Sequence, residues 1–251
     1  MNLLVISDLH IGKKEQINDF GWKNSEFIDF LDNFINYMQI DKVILNGDIY
    51  DLLQNSLIEV YNENSDIIKY FRNEKFVYLK GNHDFYMNEG IFEYNITNSE
   101  GQTIHIEHGH NADFFDGTSF GLKLCQLGFD IVKFLIKFNY TKKLFHKVIE
   151  KKKESINKIP RKYNTYKYLQ YALKLLKKYD VVILGHTHKL ESFKTHFLNH
   201  KKRYINSGTC SLGRFQAAGI DTETLKFDTV KISKEDVESK NQKFKKIMLS
   251  A

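Results

Sequence analysis

The sequence is poor in cysteine and proline and has no long hydrophobic run, and each shortage excludes a class of protein. Two cysteines in 251 residues, Cys125 and Cys210, are too few and too far apart to suggest a disulfide framework or a thiolate zinc site. No apolar segment reaches the roughly 18 residues that a transmembrane helix requires. The apolar start, residues 1–7, has no basic region and is interrupted by Asp8, which indicates a strand and not a signal peptide. A cytoplasmic location is therefore the expectation.

With one proline, no internal repeat and no low-complexity linker, the sequence also lacks the usual marks of a chain of many modules. Its 251 residues, 42% of them hydrophobic, suffice for one domain with an elaboration or for two small domains. The net charge of +6 is unevenly placed, because residues 111–180 hold 16 Lys/Arg and 6 Asp/Glu, a net of +10, which leaves −4 elsewhere. That segment is expected to face something anionic.

Short apolar strands alternate with amphipathic helices over the first 80 residues. Strands are predicted at residues 2–7, 42–45 and 76–79, because each is a short apolar run followed by polar residues. Helices are predicted behind an N-cap at Ser25 and over residues 56–71, where apolar side chains recur at three- and four-residue spacing. This βαβαβ order is typical of a parallel sheet covered by helices.

The second part of the chain has a different character. Residues 92–97 and 102–107 alternate and predict a hairpin, while residues 114–179 have helical periodicity, with Pro160 near the start of the last helix. Further strands are predicted at residues 181–184, 191–197, 203–206, 215–221 and 225–232, with turns at 199–202 and 222–224 and a peripheral helix or frayed tail at 233–251. The prediction is one α/β domain over residues 1–251, in which two facing β-sheets are flanked by helices and carry a helical insertion at about residues 111–180.

Side chains suited to metal binding follow the predicted strands. His186 and His188 come directly after the strand at 181–184, and Gly185 beside them has no side chain that would crowd a cation. Open α/β sheets have their ligand sites at the carboxyl ends of the strands, which is where these residues lie. Five such clusters supply seven carboxylate, amide and imidazole side chains: Asp8, His10, Asp48, Asn82, His108, His186 and His188. Histidines scattered by chance would lie on helix faces and in loops, so the sequence predicts a metal site.

The order of these clusters resembles that of the calcineurin-like metallophosphoesterase superfamily. The motifs are Asp-x-His, Gly-Asp-x-x-Asp, Gly-Asn-His-Asp, His-Gly-His and Gly-His-x-His, and together they span residues 7–188. The resemblance implies a four-layer α/β/β/α sandwich that holds two divalent metal ions. Carried over by position, it assigns one ion to Asp8, His10 and His188, the other to Asn82, His108 and His186, and a bridging role to Asp48.

The resemblance also implies a hydrolytic mechanism. Two cations about 3.5–4 Å apart can clamp an in-line displacement at phosphorus, with a metal-bridging hydroxide as the nucleophile. His83 would protonate the leaving oxygen or stabilise the phosphoryl oxygens, and either Asp84 or Asp51 would orient it. Nitrogen and oxygen ligands without thiolate suit Mn, which is the expected metal, or Fe, Zn, Co or Ni.

The other histidines have simpler interpretations. His110 either supports a metal ligand or contacts the metal directly. His105 lies on an alternating strand and is expected to pack against the sheet. His146, His196 and His200 are expected to be solvated.

The insertion bears on the expected substrate, a small phosphorylated molecule that is nucleotide-like or lipid-linked. Residues 111–180 interleave Lys and Arg with aromatic residues, which suits a lid over a large anionic substrate with an apolar or ring moiety. A structural helical hairpin with a buried aromatic stripe is the alternative. The layout is similar to that of the UDP-2,3-diacylglucosamine pyrophosphatases, which also insert helices there. This chain departs from their pattern, because it has His83 where they carry Arg and His110 where they carry Asp.

The leading hypothesis is a metal-dependent enzyme that hydrolyses a phosphodiester or pyrophosphate bond. The alternatives are a phosphomonoesterase, a Ser/Thr protein phosphatase and a non-catalytic scaffold of the same fold. Protein phosphatases usually carry Arg-Gly after the Gly-Asp cluster, which here continues Ile-Tyr-Asp, and a scaffold is expected to have lost ligands that are all present here. A nuclease would also use the basic segment, so nucleic acid stays open as a partner, although no accessory nucleic-acid module is visible.

We expect the insertion to serve the natural substrate more than the chemistry. Binding energy from remote parts of a substrate supports catalysis of the whole molecule but contributes little to a small ester. Replacing residues 111–180 with a short Gly/Ser linker should therefore spare most activity on p-nitrophenyl or bis-p-nitrophenyl phosphate and sharply reduce kcat/KM on the natural substrate. The loss should shrink at high salt if lysines supply the contacts. An equal loss on small and large substrates would show that the helices are a structural cap.

Overall fold

The structure is a computed structural model that describes residues 1–13, 19–113, 118, 120–121, 123–124, 127–128, 131, 162–197 and 200–238. The chain divides into two compact units: Met1–Gly109 with Ala172–Ala251, and His110–Tyr171. Most of the helical prediction for residues 114–179 lies outside the described residues, including Pro160 and His146. The end of the predicted C-terminal tail, residues 239–251, also lies outside them.

The strands of the first unit form two sheets of five strands each. Their bounds are β1 Asn2–Ile6, β2 Lys42–Asn46, β3 Phe76–Leu79, β4 Glu93–Thr97, β5 Thr103–Glu107, β6 Val181–Leu184, β7 Leu190–Phe197, β8 His200–Ser207, β9 Arg214–Asp221 and β10 Phe227–Ser233. The first sheet has the order β10-β9-β1-β2-β3 and the second has β4-β5-β6-β8-β7. In the first sheet β1, β2 and β3 are parallel, while β9 pairs antiparallel with β1 and β10 pairs antiparallel with β9. In the second sheet β5, β6 and β8 are parallel, while β4 pairs antiparallel with β5 and β7 pairs antiparallel with β8.

The two sheets pack face to face through an apolar core. Leu3 and Val5 of β1 point into this core, where they meet side chains of the second sheet: Ile104, Ile106, Val181, Ile183 and Ile205. Leu4 and Ile6, which alternate with them, point to the opposite face and pack in a second core under the helices. This arrangement confirms the predicted α/β fold of two facing sheets flanked by helices.

The helices whose bounds lie within the described residues are α1 Asn24–Tyr37, α2 Leu57–Glu63, α3 Ser65–Phe71, α4 Lys162–Leu175 and α5 Lys234–Glu238, with a short 3₁₀ helix at His110–Ala112. None of the helices in the described part of the chain is long and apolar enough to span a membrane.

Asparagine side chains explain two differences from the predicted helices. The predicted N-cap at Ser25 is wrong, because α1 already begins at Asn24, whose buried side chain donates to Asn64 Oδ1 at 3.1 Å. The predicted helix over residues 56–71 is divided at Asn64, which has a φ of −132°. Asn64 Nδ2 donates to the carbonyls of Gly12 and Val60, both at 3.0 Å, and so ties the break to the loop after β1.

The turn predicted at residues 199–202 is wrong at residues 200–202, which belong to β8, while residue 199 lies outside the described residues. The ladder with β7 continues outward, with Thr195 opposite Lys202 and His196 opposite Lys201. Charged residues on an exposed hairpin resemble a turn in sequence, but here their backbone groups are paired across the ladder. The predicted turn at 222–224 is confirmed.

Phe215 of β9 anchors α1 to the first sheet. Its fully buried ring lies 4.8 Å from the ring of Phe30 and 5.3 Å from that of Phe34, measured between centroids. Aromatic contacts of this kind add to the free energy gained from burying the ring area.

We expect Phe215→Ala to lower the free energy of unfolding by about 3–5 kcal/mol, because it removes a buried ring and leaves a cavity. Phe193→Ala is the matched control, since Phe193 is 41% exposed, and it should cost about 1 kcal/mol or less. Urea unfolding followed by circular dichroism measures both. Similar losses in the two variants would contradict the assignment of Phe215 to the core.

Candidate metal centre

The loops that follow β1 and β2 run side by side and carry the first three candidate ligands. The amide of Asp8 donates to the carbonyl of Gly47 at 3.1 Å, and the amide of His10 donates to the carbonyl of Asp48 at 3.0 Å. Because β1 and β2 are parallel neighbours, both loops leave the sheet at the same edge. The parallel pairing of the two strands thus brings Asp8 and His10 close to Asp48, although they are about 40 positions apart in the sequence.

Most of the candidate ligands have an unusual backbone conformation. A positive φ, between 52° and 66°, occurs at five of them: Asp8, His10, Asp48, His186 and His188. Only a few per cent of non-glycine residues adopt this left-handed region, and strained conformations cost on the order of 1–3 kcal/mol each. Such strain clusters at functional sites, where the surrounding fold holds side chains in positions that an unstrained loop would not give.

Asp8, His10 and His188 form the first group of donor atoms. Asp8 Oδ1 lies 3.1 Å from His188 Nε2 and 3.9 Å from His10 Nε2. The two Nε2 atoms are 3.1 Å apart. One carboxylate oxygen and two imidazole nitrogens therefore converge on one point, and all three lie within 4.8 Å of one another.

Asp48, His108 and His186 form the second group, with donor atoms within 4.8 Å of one another. His108 Nδ1 lies 2.7 Å from the carbonyl oxygen of Asn46, which can only accept, so Nδ1 carries the hydrogen. His108 Nε2 consequently faces Asp48 Oδ2, at 3.2 Å. Metal-binding histidines are commonly oriented by such a bond from the other ring nitrogen.

Asn82, the seventh predicted ligand, lies between two residues that touch Asp48. The amide of His83 donates to Asp48 Oδ1 at 2.8 Å, and a side chain at Gly81 would overlap that same oxygen. Within the described residues, the buried Asn82 Oδ1 has no hydrogen-bond partner. A buried amide oxygen without a partner is costly, and a cation would satisfy it.

The buried carboxylates of the centre favour positive charge on the groups beside them. Burial alone would raise the pKa of Asp8, but His188 and His108 lower it to about 2. Burial alone would lower the pKa of His108, but the Asp48 carboxylate raises it to about 10. Burial and the charge of His83 lower the pKa of His10 to about 3, which keeps that ring neutral. Carboxylates, an amide oxygen and imidazoles are ligands that divalent metal ions accept, so the residues fit the implied metals.

His83 lies at the edge of this cluster and is held by Asp51. Its Nδ1 is 2.9 Å from Asp51 Oδ1, and its ring meets that of His10 edge-on, with centroids 4.5 Å apart. Burial would lower the pKa of His83, but Asp48 and Asp51 raise it to about 9. Desolvation likewise opposes ionisation of Asp51, yet the hydrogen bond with His83 lowers the pKa of Asp51 below its usual value.

Asp84 has a different task from Asp51. Its carboxylate accepts from the amide of Gly81 at 2.6 Å and from the amide of Ile49 at 2.7 Å. It is fully buried, and burial followed by the charge of Asp48 raises the pKa of Asp84 to about 6. Asp84 thus joins the loops after β2 and β3, whereas Asp51 accepts the hydrogen bond from the His83 ring.

Residues beyond the predicted set also support the ligands. Thr209 Oγ1 donates to the carbonyl of Asp8 at 2.9 Å, and Asn206 Nδ2 donates to the carbonyl of Gly185 at 2.7 Å. Both residues are fully buried. They lie more than 15 positions after the last motif, so no pattern in the sequence identifies them.

Three of the histidines outside the candidate ligands have the predicted burial. His105 is buried on β5, and His196 and His200 are exposed, as predicted. His110 begins the 3₁₀ helix at the start of the second unit.

The chain is similar to known proteins in both sequence and fold. The model of the family described as calcineurin-like phosphoesterase matches residues 1–190. No curated protein matches the sequence. A solved structure of a hypothetical protein from Pyrococcus horikoshii OT3 is similar with a TM-score of 0.50 at 11% identity, covering 98% of this chain and 97% of that chain. This likeness shows a shared fold and nothing further.

Two other solved structures are less similar. An archaeal phosphodiesterase has a TM-score of 0.45 at 17% identity, with 92% of this chain and 100% of that chain covered. Vps29 from Entamoeba histolytica, in complex with zinc, has a TM-score of 0.41 at 14% identity, with 93% and 99% covered.

We expect Gly81→Ala to weaken divalent metal binding, because its methyl group would displace the Asp48 carboxylate. Gly219→Ala is the matched control, since a methyl group there would meet its nearest atom at an ordinary 3.8 Å. Equilibrium dialysis with elemental analysis should show fewer Mn²⁺ ions per chain in the first variant and an unchanged number in the second. Full metal binding by folded Gly81→Ala would contradict the placement of Asp48 in the centre.

Proposed function

The chain belongs to the calcineurin-like phosphoesterase family, and on that premise we propose that it hydrolyses a phosphodiester or pyrophosphate bond with the help of two divalent metal ions. The substrate class that we infer is a small phosphorylated molecule that is nucleotide-like or linked to a lipid. Manganese is the metal that we propose, and the ligand set also accepts Fe, Zn, Co or Ni.

The convergence of two donor groups is the observation that carries this proposal. Asp8, His10 and His188 would hold one ion, while His108, His186 and Asn82 would hold the other. Asp48 is the natural bridge, because one of its oxygens faces His108 and the same side chain also groups with His10 and His83. One octahedral ion needs fewer protein ligands than these seven, which favours two ions.

Bound divalent ions would supply Lewis acidity toward the phosphoryl oxygens and activate water for attack. The protein itself supplies the proton for the leaving group. Burial lowers the pKa of His83, but without bound metal Asp48 and Asp51 raise it to about 9, and the hydrogen bond to Asp51 would favour the protonated ring when cations share Asp48. Asp51 holds Nδ1, so Nε2–H is the donor that is left to face a substrate.

The backbone of His83 fixes where that proton is delivered. Its amide donates to Asp48 Oδ1 at 2.8 Å, which ties the backbone of His83 to the proposed bridging carboxylate, while the bond to Asp51 restrains the ring. Both contacts would help to position the acid beside a substrate bound at the metals, and correct positioning is a large part of catalysis. The complete donor set and the Asp51–His83 pair favour an enzyme over a non-catalytic scaffold.

The basic segment at residues 111–180 supports an anionic substrate larger than a simple phosphomonoester. The experiment that tests the function is a substrate panel on protein reconstituted with each metal. Phosphodiesters, pyrophosphates and nucleotide sugars should be hydrolysed with higher kcat/KM than phosphomonoesters or phosphopeptides. Faster turnover of phosphomonoesters or phosphopeptides would replace this proposal with a phosphatase, and no turnover of any substrate would favour a scaffold.

We expect His83→Asn to keep its metal content but lose about 10²–10⁴-fold in kcat on substrates with poor leaving groups. Substrates with good leaving groups need the proton less and should lose less. Asp51→Asn should cause a smaller loss with the same dependence on the leaving group, because it acts through the orientation of His83. Glu63→Gln, a change on α2 outside the donor groups, is the control and should leave kcat unchanged.

Steady-state kinetics on a series of aryl phosphodiesters measures this dependence. Equal losses across the series would assign His83 to charge stabilisation. Unchanged kinetics would remove it from the mechanism.

A further inference from the structure

The outer face of the β4–β5 hairpin carries a second cluster of metal-binding side chains. Strand pairing places Glu93 opposite Glu107 and Asn95 opposite His105. Side chains alternate along a strand, so these four residues share one face, while Ile104 and Ile106 point the other way into the core between the sheets. None of the four belongs to the donor groups described above.

We propose that Glu93, His105 and Glu107 form a third divalent cation site, suited to Zn²⁺, that ties the edge strand β4 to β5. Two carboxylate oxygens and one imidazole nitrogen lie within 4.8 Å of one another. Zinc accepts this ligand set, with water completing a tetrahedron.

Asn95 orients the imidazole toward the proposed ion. Its Nδ2 donates to Glu93 Oε1 at 3.0 Å, so its Oδ1 is the acceptor that faces His105 Nδ1 at 2.7 Å. His105 Nδ1 therefore carries the hydrogen, and Nε2 faces Glu107 Oε2 at 3.0 Å. Metal-binding histidines typically donate their other ring nitrogen to an oxygen in this way.

The electrostatics of the face also favour a cation. Glu93 and Glu107 are directly opposite each other, and like charges in that position destabilise a strand pair. Glu107 and His105 are buried, so solvent screens them little. Glu93 is exposed and leaves the site open to ions from solution.

The ring of Tyr179 holds the imidazole in place. It stacks on His105 with centroids 4.4 Å apart and an angle of 11° between the planes. A ring fixed by stacking and by Asn95 loses little freedom when it binds an ion, and such preorganisation strengthens binding.

The space between His105 Nε2 and Glu107 Oε2 holds either a proton or a metal ion, and metal analysis decides between them. Full-length, metal-free protein is titrated with Zn²⁺, and bound zinc per chain is measured by equilibrium dialysis. The variants are Glu93→Gln and His105→Asn, with Glu100→Gln in the exposed β4–β5 turn as the matched control.

We expect the wild type and Glu100→Gln to bind one more zinc ion than Glu93→Gln and His105→Asn, or to bind that ion at least about 10-fold more tightly. Zinc should also raise the Tm of the wild type more than that of Glu93→Gln, because a ligand that binds the folded state stabilises it. Glu93→Gln changes an exposed side chain on an edge strand, so it decides the outcome even if His105→Asn does not fold.

The ring nitrogens of His105 give an independent readout by NMR. Zinc coordination should shift the Nε2 resonance in the wild type and not in Glu93→Gln. Equal zinc binding in all four proteins, or a His105 Nε2 resonance that does not change when zinc is added, would overturn the proposal. The cluster would then be a hydrogen-bonded ion pair.

Discussion

Two buried carboxylates, Asp8 and Asp48, impose the constraint on which the rest of the site depends. A carboxylate removed from water must be compensated by positive charge or hydrogen bonds. Here the compensation comes from imidazoles, with His188 and His108 at 3.1 and 3.2 Å from the two acids. The same arrangement attracts protons to His108 and His83 and fits divalent cations, so the chemistry follows from burying these two acids together.

Holding the two acids together requires a strained backbone, and the surrounding fold stabilises it. Five candidate ligands have a positive φ, which an isolated loop would not retain. Asp84 joins the loops after β2 and β3, while Thr209 binds the carbonyl of Asp8. These contacts come from four different strand ends, so the geometry is a property of the whole sandwich and not of any one loop.

The sandwich also separates chemistry from stability. Its two apolar cores lie on opposite faces of the first sheet, whereas the polar side chains of the candidate centre follow the carboxyl ends of strands from both sheets. Edge strands such as β4 contribute less apolar burial, because β4 alternates between partly buried and exposed residues. Polar side-chain contacts with β5, such as the hydrogen bond between Asn95 and His105, therefore hold β4 to the sheet in addition to the backbone ladder.

The sequence alone determined the succession of most strands along the chain and the identity of the candidate ligands. Both follow from local patterns, because a short apolar run predicts a strand and the polar residues after it lie at its end. Only the tertiary structure decided which acid holds His83, since Asp51 and Asp84 are equally plausible by spacing. It also decided the break at Asn64, the start of α1 and the pairing of residues 200–202. Apart from the pairing of residues 200–202 with the neighbouring strand β7, each of these depends on a hydrogen-bond partner far away in the chain. Tertiary packing decides which side chain reaches that partner, and no local sequence pattern contains this information.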